Sequence, residues 1–153
     1  MKNSHKIITV ALLVGLSSAL FAEVKTAEDL LKSMKQEDIT YAQLMEGMGN
    51  AASNIQRGII GMNPYLVKRG IDFIRTHPAP KDKPWVIMAQ EDREAFKETL
   101  VVMDKIMDED VAKIEKALLQ KDWAGAQEAS QGLDRTCISC HVAWKNNVKY
   151  IMK

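Results

Sequence analysis

The sequence has few of the residues that interrupt helices, and few aromatic residues. Its 153 residues include only 8 Gly, 4 Pro and 2 Cys, 6% are aromatic, and the formal net charge is +1. The scarcity of Gly and Pro, together with 46% hydrophobic residues, excludes wholesale disorder. The near-neutral charge removes the usual electrostatic reason to expect a nucleic-acid partner. The length corresponds to one compact domain rather than to a multidomain enzyme.

Long apolar runs are also lacking beyond the N-terminus. Two lysines there precede an apolar run from Ile7 to Leu16, and small residues follow it. This pattern predicts a secretory signal peptide over residues 1–22, cleaved after Ala22 or after Ala19. The run is too short to span a bilayer as a helix. We therefore expect residues 23–153 to form a single domain that is exported to the periplasm and not embedded in the membrane.

Beyond residue 22, apolar residues recur at spacings of three and four, which is the period of an α-helix. Alternating runs typical of strands are not evident, so the predicted fold class is all-α. Thr26, Asn63 and Asp122 are the expected N-caps of three helices. The long helix over residues 88–120 is predicted either to be continuous or to break near Asp108 to Asp110. The predicted helices cover residues 27–35, 39–61, 64–76, 88–120 and 122 onwards, with a Pro-rich loop at 77–84.

The second predicted helix has one continuous apolar face. Its members recur at alternating steps of four and three, namely Tyr41, Met45, Met48, Ala52, Ile55, Ile59 and Met62. This spacing is typical of a helix that buries one face in a bundle. With the short connections, it predicts an antiparallel four-helix bundle.

The most specific motif uses both cysteines of the chain. Cys137-Ile138-Ser139-Cys140-His141 is the C-x-x-C-H haem-attachment sequence. Positions i, i+3 and i+4 share one helix face, so two thiolates can form thioethers along one haem edge while His141 reaches the iron as proximal ligand. The sequence therefore predicts one covalently attached haem c per chain.

Three other interpretations of the same residues stay open. A C-x-x-C redox pair of the thioredoxin type needs a βαβ setting, which the pattern does not indicate. The cysteines could also form a structural disulfide. As half of a zinc site with His141 they would need a fourth ligand, for which His77 is the only other histidine after the signal peptide. Export weakens the interpretations that need free thiols.

On these residues the sequence resembles the class II c-type cytochromes, which are cytochrome c′ and its low-spin relatives of the c-556 type. The resemblance extends over the whole mature chain in its overall arrangement. It is carried by the C-x-x-C-H near the C-terminus, by Trp144-Lys145 just after it, and by the Met-x-x-Met-Gly of Met45 to Gly49. It implies a four-helix bundle with the haem packed between helices. Family members often pair through their first helices, so the resemblance also leaves a homodimer open.

The resemblance implies the sixth iron ligand as well. In the low-spin members a methionine from the first long helix completes the coordination of the iron, whereas in cytochrome c′ that position is apolar and the iron is five-coordinate. The Met-x-x-Met-Gly pattern assigns Met45 to this distal position. Met48 is the second candidate and His77 the third, because methionines at helical spacing also serve as core filler. Met62, Met103 and Met107 are expected to be core residues.

Two aromatic residues are expected near the haem. Many family members carry an arginine four residues before the distal ligand, where this chain has Tyr41. Tyr41 could bring a hydroxyl group to the distal side of the haem. A tyrosine buried in the core with its hydroxyl group hydrogen-bonded is the commoner explanation of a residue in this position. Trp144, one turn beyond His141, is expected to pack on the haem or seal its pocket, and a plain core tryptophan is equally consistent.

These observations predict an electron carrier and not an enzyme. Thioether ligation favours ferrous iron and raises the reduction potential, which suits a protein that shuttles single electrons between redox proteins. The first alternative is a gas-binding protein of the cytochrome c′ type that takes nitric oxide or carbon monoxide at an open distal site. Peroxide reduction would need a distal acid or base, and His77 is the only histidine free for that role.

Overall fold

Residues 26–149 are described by a computed structural model. This part of the chain is mostly helical, which confirms the all-α class. Its helices are α1 (Ala27–Ser33), α2 (Tyr41–Ile60), α3 (Pro64–Thr76), α4 (Arg93–Leu119) and α5 (Trp123–Trp144). None of them is long and apolar enough to cross a membrane. The predicted signal peptide, residues 1–22, lies outside the described residues.

The helix starts follow the predicted capping residues. The side chains of Thr26, Asn63 and Asp122 each accept a hydrogen bond from the backbone N–H three residues further on. Helix α2 begins two residues later than predicted. There Thr40 and Gln43 form a capping box, in which each side chain bonds to the backbone N–H of the other residue.

Two short strands lie outside the helices. Gln36–Glu37 (β1) pairs in parallel with Ala79–Pro80 (β2). This pairing ties the segment before α2 to the Pro-rich segment after α3, and Ala79 and Pro80 are both buried. Strands of two residues are too short to leave a periodic signal in the sequence.

Helix α4 begins at Arg93 and not at Met88, which corrects the predicted start. Met88 is fully buried, has an extended backbone, and pairs with Val148 in an antiparallel bridge. The preceding and following residues form 3₁₀ turns at Pro84–Ile87 and Gln90–Asp92. The bridge joins residues far apart in sequence, so the local apolar pattern could not reveal that it replaces the first turn of the helix.

The helices pack as two hairpins. Helix α2 packs mainly against α3 and α4 mainly against α5, while contacts of α2 with α5 and of α3 with α4 join the hairpins. The main core lies between them and consists of Ala51, Ile55, Ile59, Val67, Ile71, Ile74, Val111, Ile114, Ala117, Ala126 and Leu133. A second cluster lies toward the N-terminal end of α4 and contains Ala27, Trp85, Met88 and Phe96.

The predicted apolar face of α2 is divided between the main core and a cleft. Ile55 and Ile59 are buried in the main core. The members nearer the start of the helix are only half-buried and line a cleft. Met62, expected in the core, lies beyond the end of the helix and is 65% exposed. Its backbone has a left-handed φ of 47°, which turns the chain toward α3 and the Met62 side chain away from the core.

Helices α2 and α3 approach each other closely at Gly70. A methyl group at this position would meet the carbonyl oxygen of Ala51 and, at 2.6 Å, the Cγ1 atom of Ile55. We expect Gly70→Ala to lower the free energy of unfolding by about 1–3 kcal/mol, because the helices must move apart. Urea denaturation measures the change. Ser53→Ala, on the exposed side of α2, is the control and should stay within about 0.5 kcal/mol. Equal stability of the two variants would contradict the close approach.

Candidate functional site

Two adjoining cavities open between α2 and the C-terminal half of α5. The α1-side cavity, about 360 Å³, extends toward α1 and the Pro-rich segment. The Trp144-side cavity, about 490 Å³, extends toward Phe96. Both volumes are in the range of ligand pockets, roughly 300–1,000 Å³. Four residues line both cavities and form their shared wall, namely Tyr41, Met45, Cys140 and His141.

Helix α5 brings the C-x-x-C-H motif to this shared wall. Cys137, Cys140 and His141 all lie within α5, as the spacing predicted. Cys137 lines the α1-side cavity only, whereas Cys140 and His141 line both cavities. The two cysteines are half-buried free thiols, and His141 is exposed. Two thiols and one imidazole therefore meet at one side of the cleft.

The environment of the thiols does not suit a redox pair. Burial raises the pKa of Cys137 and of Cys140, and the Asp134 carboxylate raises that of Cys137 further. Catalytic C-x-x-C pairs need a lowered pKa, which a helix N-terminus provides, but this motif lies near the C-terminal end of a 22-residue helix. Among residues 26–149, no group of three or more His, Cys, Asp and Glu side chains is placed to hold a metal ion.

A buried carboxylate on α4 joins α5 directly before the C-x-x-C-H motif. The Oγ1 atom of Thr136 donates to Oδ2 of Asp110 at 2.8 Å, and Nζ of Lys113 donates to Oδ1 at 2.7 Å. Asp110 is only 4% exposed. Because Thr136 directly precedes Cys137, the bond anchors α5 to α4 next to the motif. Helix α4 is continuous through Asp110, so the break that the sequence allowed near Asp108 to Asp110 does not occur.

A second polar contact joins α2 to α5 on the same side. The Nε2 atom of Gln56 donates to Oδ2 of Asp134 at 3.0 Å and to the Oγ atom of Ser130 at 3.1 Å. Sequence analysis missed both this contact and Asp110. The available signal was that Asp110 falls on the apolar side of α4, three residues after Met107 and four before Ile114. A charged residue in such a position is buried only when it is paired.

Substitution of Asp110 tests this arrangement. Asp110→Ala leaves Thr136 without its partner on α4 and should lower the free energy of unfolding by about 1–3 kcal/mol. Asp110→Asn keeps an oxygen that can accept from Thr136, so we expect it to lose less. Denaturant unfolding measures both variants. An Asp110→Ala protein as stable as the parent would show that the bond does not hold α5.

Helix α2 forms the opposite side of the cleft. Met45 is half-buried and lines both cavities from the α2 side, as His141 does from the α5 side. Met48 lines only the α1-side cavity, and it also packs against the main core. Met103 and Met107 of α4 line the α1-side cavity as well, and Met107 packs against the core as predicted. The two methionines of the Met-x-x-Met-Gly pattern thus occupy different environments.

Both aromatic residues singled out in the sequence lie at the cleft and share one packing partner. Tyr41 packs edge-on against Phe96, with ring centroids 6.3 Å apart, and burial raises the pKa of its hydroxyl. Trp144 packs edge-on against the same ring, with centroids 5.4 Å apart, and its indole N–H donates to Oγ1 of Thr99 at 3.2 Å. Each is a core residue that also forms part of a cavity wall.

His77 lies away from the shared wall. It follows α3, its Nδ1 atom is 3.2 Å from the carbonyl oxygen of Pro78, and it lines only the α1-side cavity. Asp104, which sequence analysis missed, lines the same cavity. Burial raises the pKa of Asp104, and Asp108 raises it further, while His77 acts in the opposite direction. The α1-side cavity therefore contains an imidazole and a carboxyl group apart from the motif.

The residues around the cleft fit the group that the motif implies. One side offers two thiols and an imidazole, and the other offers the thioether of Met45. Between them the lining is mainly aliphatic, aromatic or thioether, as in Leu30, Leu31, Leu44, Leu100 and Met103. An apolar cleft with a few convergent polar groups is typical of small-molecule and cofactor sites in general. In comparisons with protein families, curated proteins and solved structures, nothing matches this chain.

Proposed function

We propose that this protein is a periplasmic monohaem c-type cytochrome that carries single electrons between redox proteins. The proposed architecture is the four-helix bundle of the class II cytochromes, with a low-spin haem ligated by His141 and Met45. One observation supports this proposal more than any other. Met45 of α2 and His141 of α5 line the same two cavities, with Cys140 beside them.

The residues of α5 would attach the cofactor. Cys137 and Cys140 would form the two thioether bonds, and an imidazole nitrogen of His141 would bind the iron as the proximal ligand. Bound in this way, haem c supplies a reversible one-electron couple. The bond from Thr136 to Asp110 anchors α5 to α4 next to the residues that would attach the haem.

Met45 is the distal ligand that the contacts favour. Its neighbour Met48 packs against the main core, and a side chain held in the core is less free to coordinate. His77 lines only the α1-side cavity. A thioether ligand favours the ferrous state and so raises the potential at which the protein accepts an electron.

The chemistry of the shared wall supports electron transfer rather than catalysis. Its four residues are Tyr41, Met45, Cys140 and His141, and burial keeps the Tyr41 hydroxyl protonated by raising its pKa. Peroxide reduction needs an acid or base beside an open iron, and the groups that could serve, His77 and Asp104, line the α1-side cavity but do not belong to the shared wall. The apolar lining excludes water and tunes the potential through the local dielectric.

Gas binding is the second candidate, and one observation favours it. Gly49 of α2, one turn beyond Met45, is exposed and lines the α1-side cavity, and an added methyl group there would find no atom within 4 Å. The cleft is therefore open to solvent beside Met45, and nitric oxide or carbon monoxide could enter there if the methionine were displaced.

Absorption spectra of the holoprotein separate the two candidates. We expect a c-type pyridine haemochrome, low-spin ferric and ferrous spectra, a methionine-to-iron charge-transfer band, and slow or no uptake of carbon monoxide. High-spin spectra with ready uptake would favour the gas-binding protein instead. If no haem is covalently bound, the proposal is wrong. A structural disulfide between Cys137 and Cys140 then becomes the favoured interpretation.

A further inference from the structure

The turn between α2 and α3 presents large apolar side chains to solvent. Ile60, Met62 and Tyr65 are 78%, 65% and 71% exposed. The backbone around them is well bonded, since the N–H groups of Met62 and Asn63 donate to the carbonyl oxygens of Ile59 and Gly58 at 3.1 and 2.7 Å. The three side chains are therefore held outward by a fixed turn.

Positive charge surrounds these apolar side chains. Residues 57–71 contain Arg57, Lys68 and Arg69 but no Asp or Glu, although the whole chain is nearly neutral. Lys68 pairs with Asp72 at 2.7 Å. Arg57 and Arg69 are exposed, and neither belongs to an ion pair within residues 26–149. We call the six residues Arg57, Ile60, Met62, Tyr65, Lys68 and Arg69 the turn surface.

Helical spacing brings the apolar and basic members of the turn surface together. Arg57 and Ile60 are three residues apart on α2 and share a face. Tyr65 shares a face of α3 with Lys68 and Arg69, which follow it by three and four residues. The turn surface is thus a convex apolar tip with cations on both of its helices.

We propose that the turn surface docks the protein onto an anionic lipid bilayer. Apolar side chains on a convex tip can enter the boundary between headgroups and acyl chains, where tyrosine is also favoured. Lysine and arginine beside them are attracted to anionic headgroups. A peptide or helix would instead need a groove, which the tip of a helical hairpin does not provide.

Docking in this way would leave the cleft accessible. Met45 and Ile60 are 15 residues apart on α2, which corresponds to roughly 22 Å along the helix. The turn surface and the shared wall therefore lie toward opposite ends of this helix. This inference does not depend on the haem, and it adds a membrane-surface location to the proposed electron carrier.

Met62→Gly is the sharpest test, because its effect on folding should be small or favourable. The left-handed φ of 47° at Met62 suits glycine better than methionine. The holoprotein is mixed with vesicles of phosphatidylglycerol and phosphatidylcholine, and binding is measured by cosedimentation. We expect the parent to bind, Met62→Gly to bind about tenfold more weakly, and its thermal midpoint to be unchanged or higher.

The charge is tested by Arg57→Gln and Arg69→Gln, each of which should weaken binding about fivefold. Vesicles of phosphatidylcholine alone should bind the parent weakly. Val102→Ser, which removes another exposed apolar side chain from the middle of α4, is the matched control and should bind like the parent.

Three results would overturn the proposal. One is a parent protein that does not bind the anionic vesicles. Another is binding that Met62→Gly and the two arginine variants retain in full. The third combines absent vesicle binding with a concentration-dependent dimer, measured by light scattering, that Met62→Gly abolishes. The turn surface would then join two copies of the chain.

Discussion

The combined substitution Cys137→Ala and Cys140→Ala is expected to remove all covalently bound haem from the protein. The chain contains only 2 Cys, so no other thiol can form the thioether bonds. The loss should be complete because noncovalent binding through His141 does not survive denaturation. A denaturing gel stained for haem should show a band for the parent and none for the double variant.

Ser139→Ala is the matched control in the same turn of α5. Ser139 is exposed, and its Oγ atom donates only to the carbonyl oxygen of Thr136, at 2.8 Å. This variant should keep the haem content of the parent. A single replacement of either cysteine keeps one thioether and should shift the pyridine haemochrome band toward that of free haem. Covalent haem in the double variant would refute the attachment site.

Met45→Ala should convert the iron from low-spin to high-spin and open it to carbon monoxide. The thioether of Met45 lies on the shared wall with His141, and alanine cannot reach the iron. The reduction potential should also fall, because the ligand that stabilises the ferrous state is lost. Absorption spectra, the charge-transfer band and carbon monoxide titration measure the first effect, and potentiometry measures the second.

Met48→Ala and His77→Ala are the controls for ligation. Met48 packs against the main core, so its truncation should lower the free energy of unfolding by about 2 kcal/mol and leave the spectrum unchanged. His77 lies at the end of α3 and lines one cavity only, so its replacement should also leave the spectrum unchanged. If either control becomes high-spin while Met45→Ala stays low-spin, Met45 is not the ligand.

Local interactions made much of the helical structure predictable. Thr26, Asn63 and Asp122 cap the helices that the sequence assigned to them, because a cap needs only a side chain and an N–H three residues away. The same locality explains why the C-x-x-C-H motif could be placed on a helix before any fold was known. Its chemistry follows from residue types at fixed spacing.

Long-range contacts explain where the predictions were wrong. Met88 was expected in α4, yet it pairs with Val148, about sixty residues away in sequence. Met62 was expected in the core, but α2 ends at Ile60 and the left-handed turn exposes the side chain. A periodic apolar pattern records which face a helix could bury, and it does not record where the helix ends or what covers the face.

The all-α class, the helix caps and the C-x-x-C-H motif could be predicted because each depends on residues close together in the chain. Which residues face the motif depends instead on tertiary packing. Met45 and Met48 are equivalent by spacing, and the packing of α2 against α5 and the core separates them. Asp110 likewise acquires its role only when α4 brings it to Thr136. Contacts between distant segments depend on how whole helices pack, which no local pattern encodes.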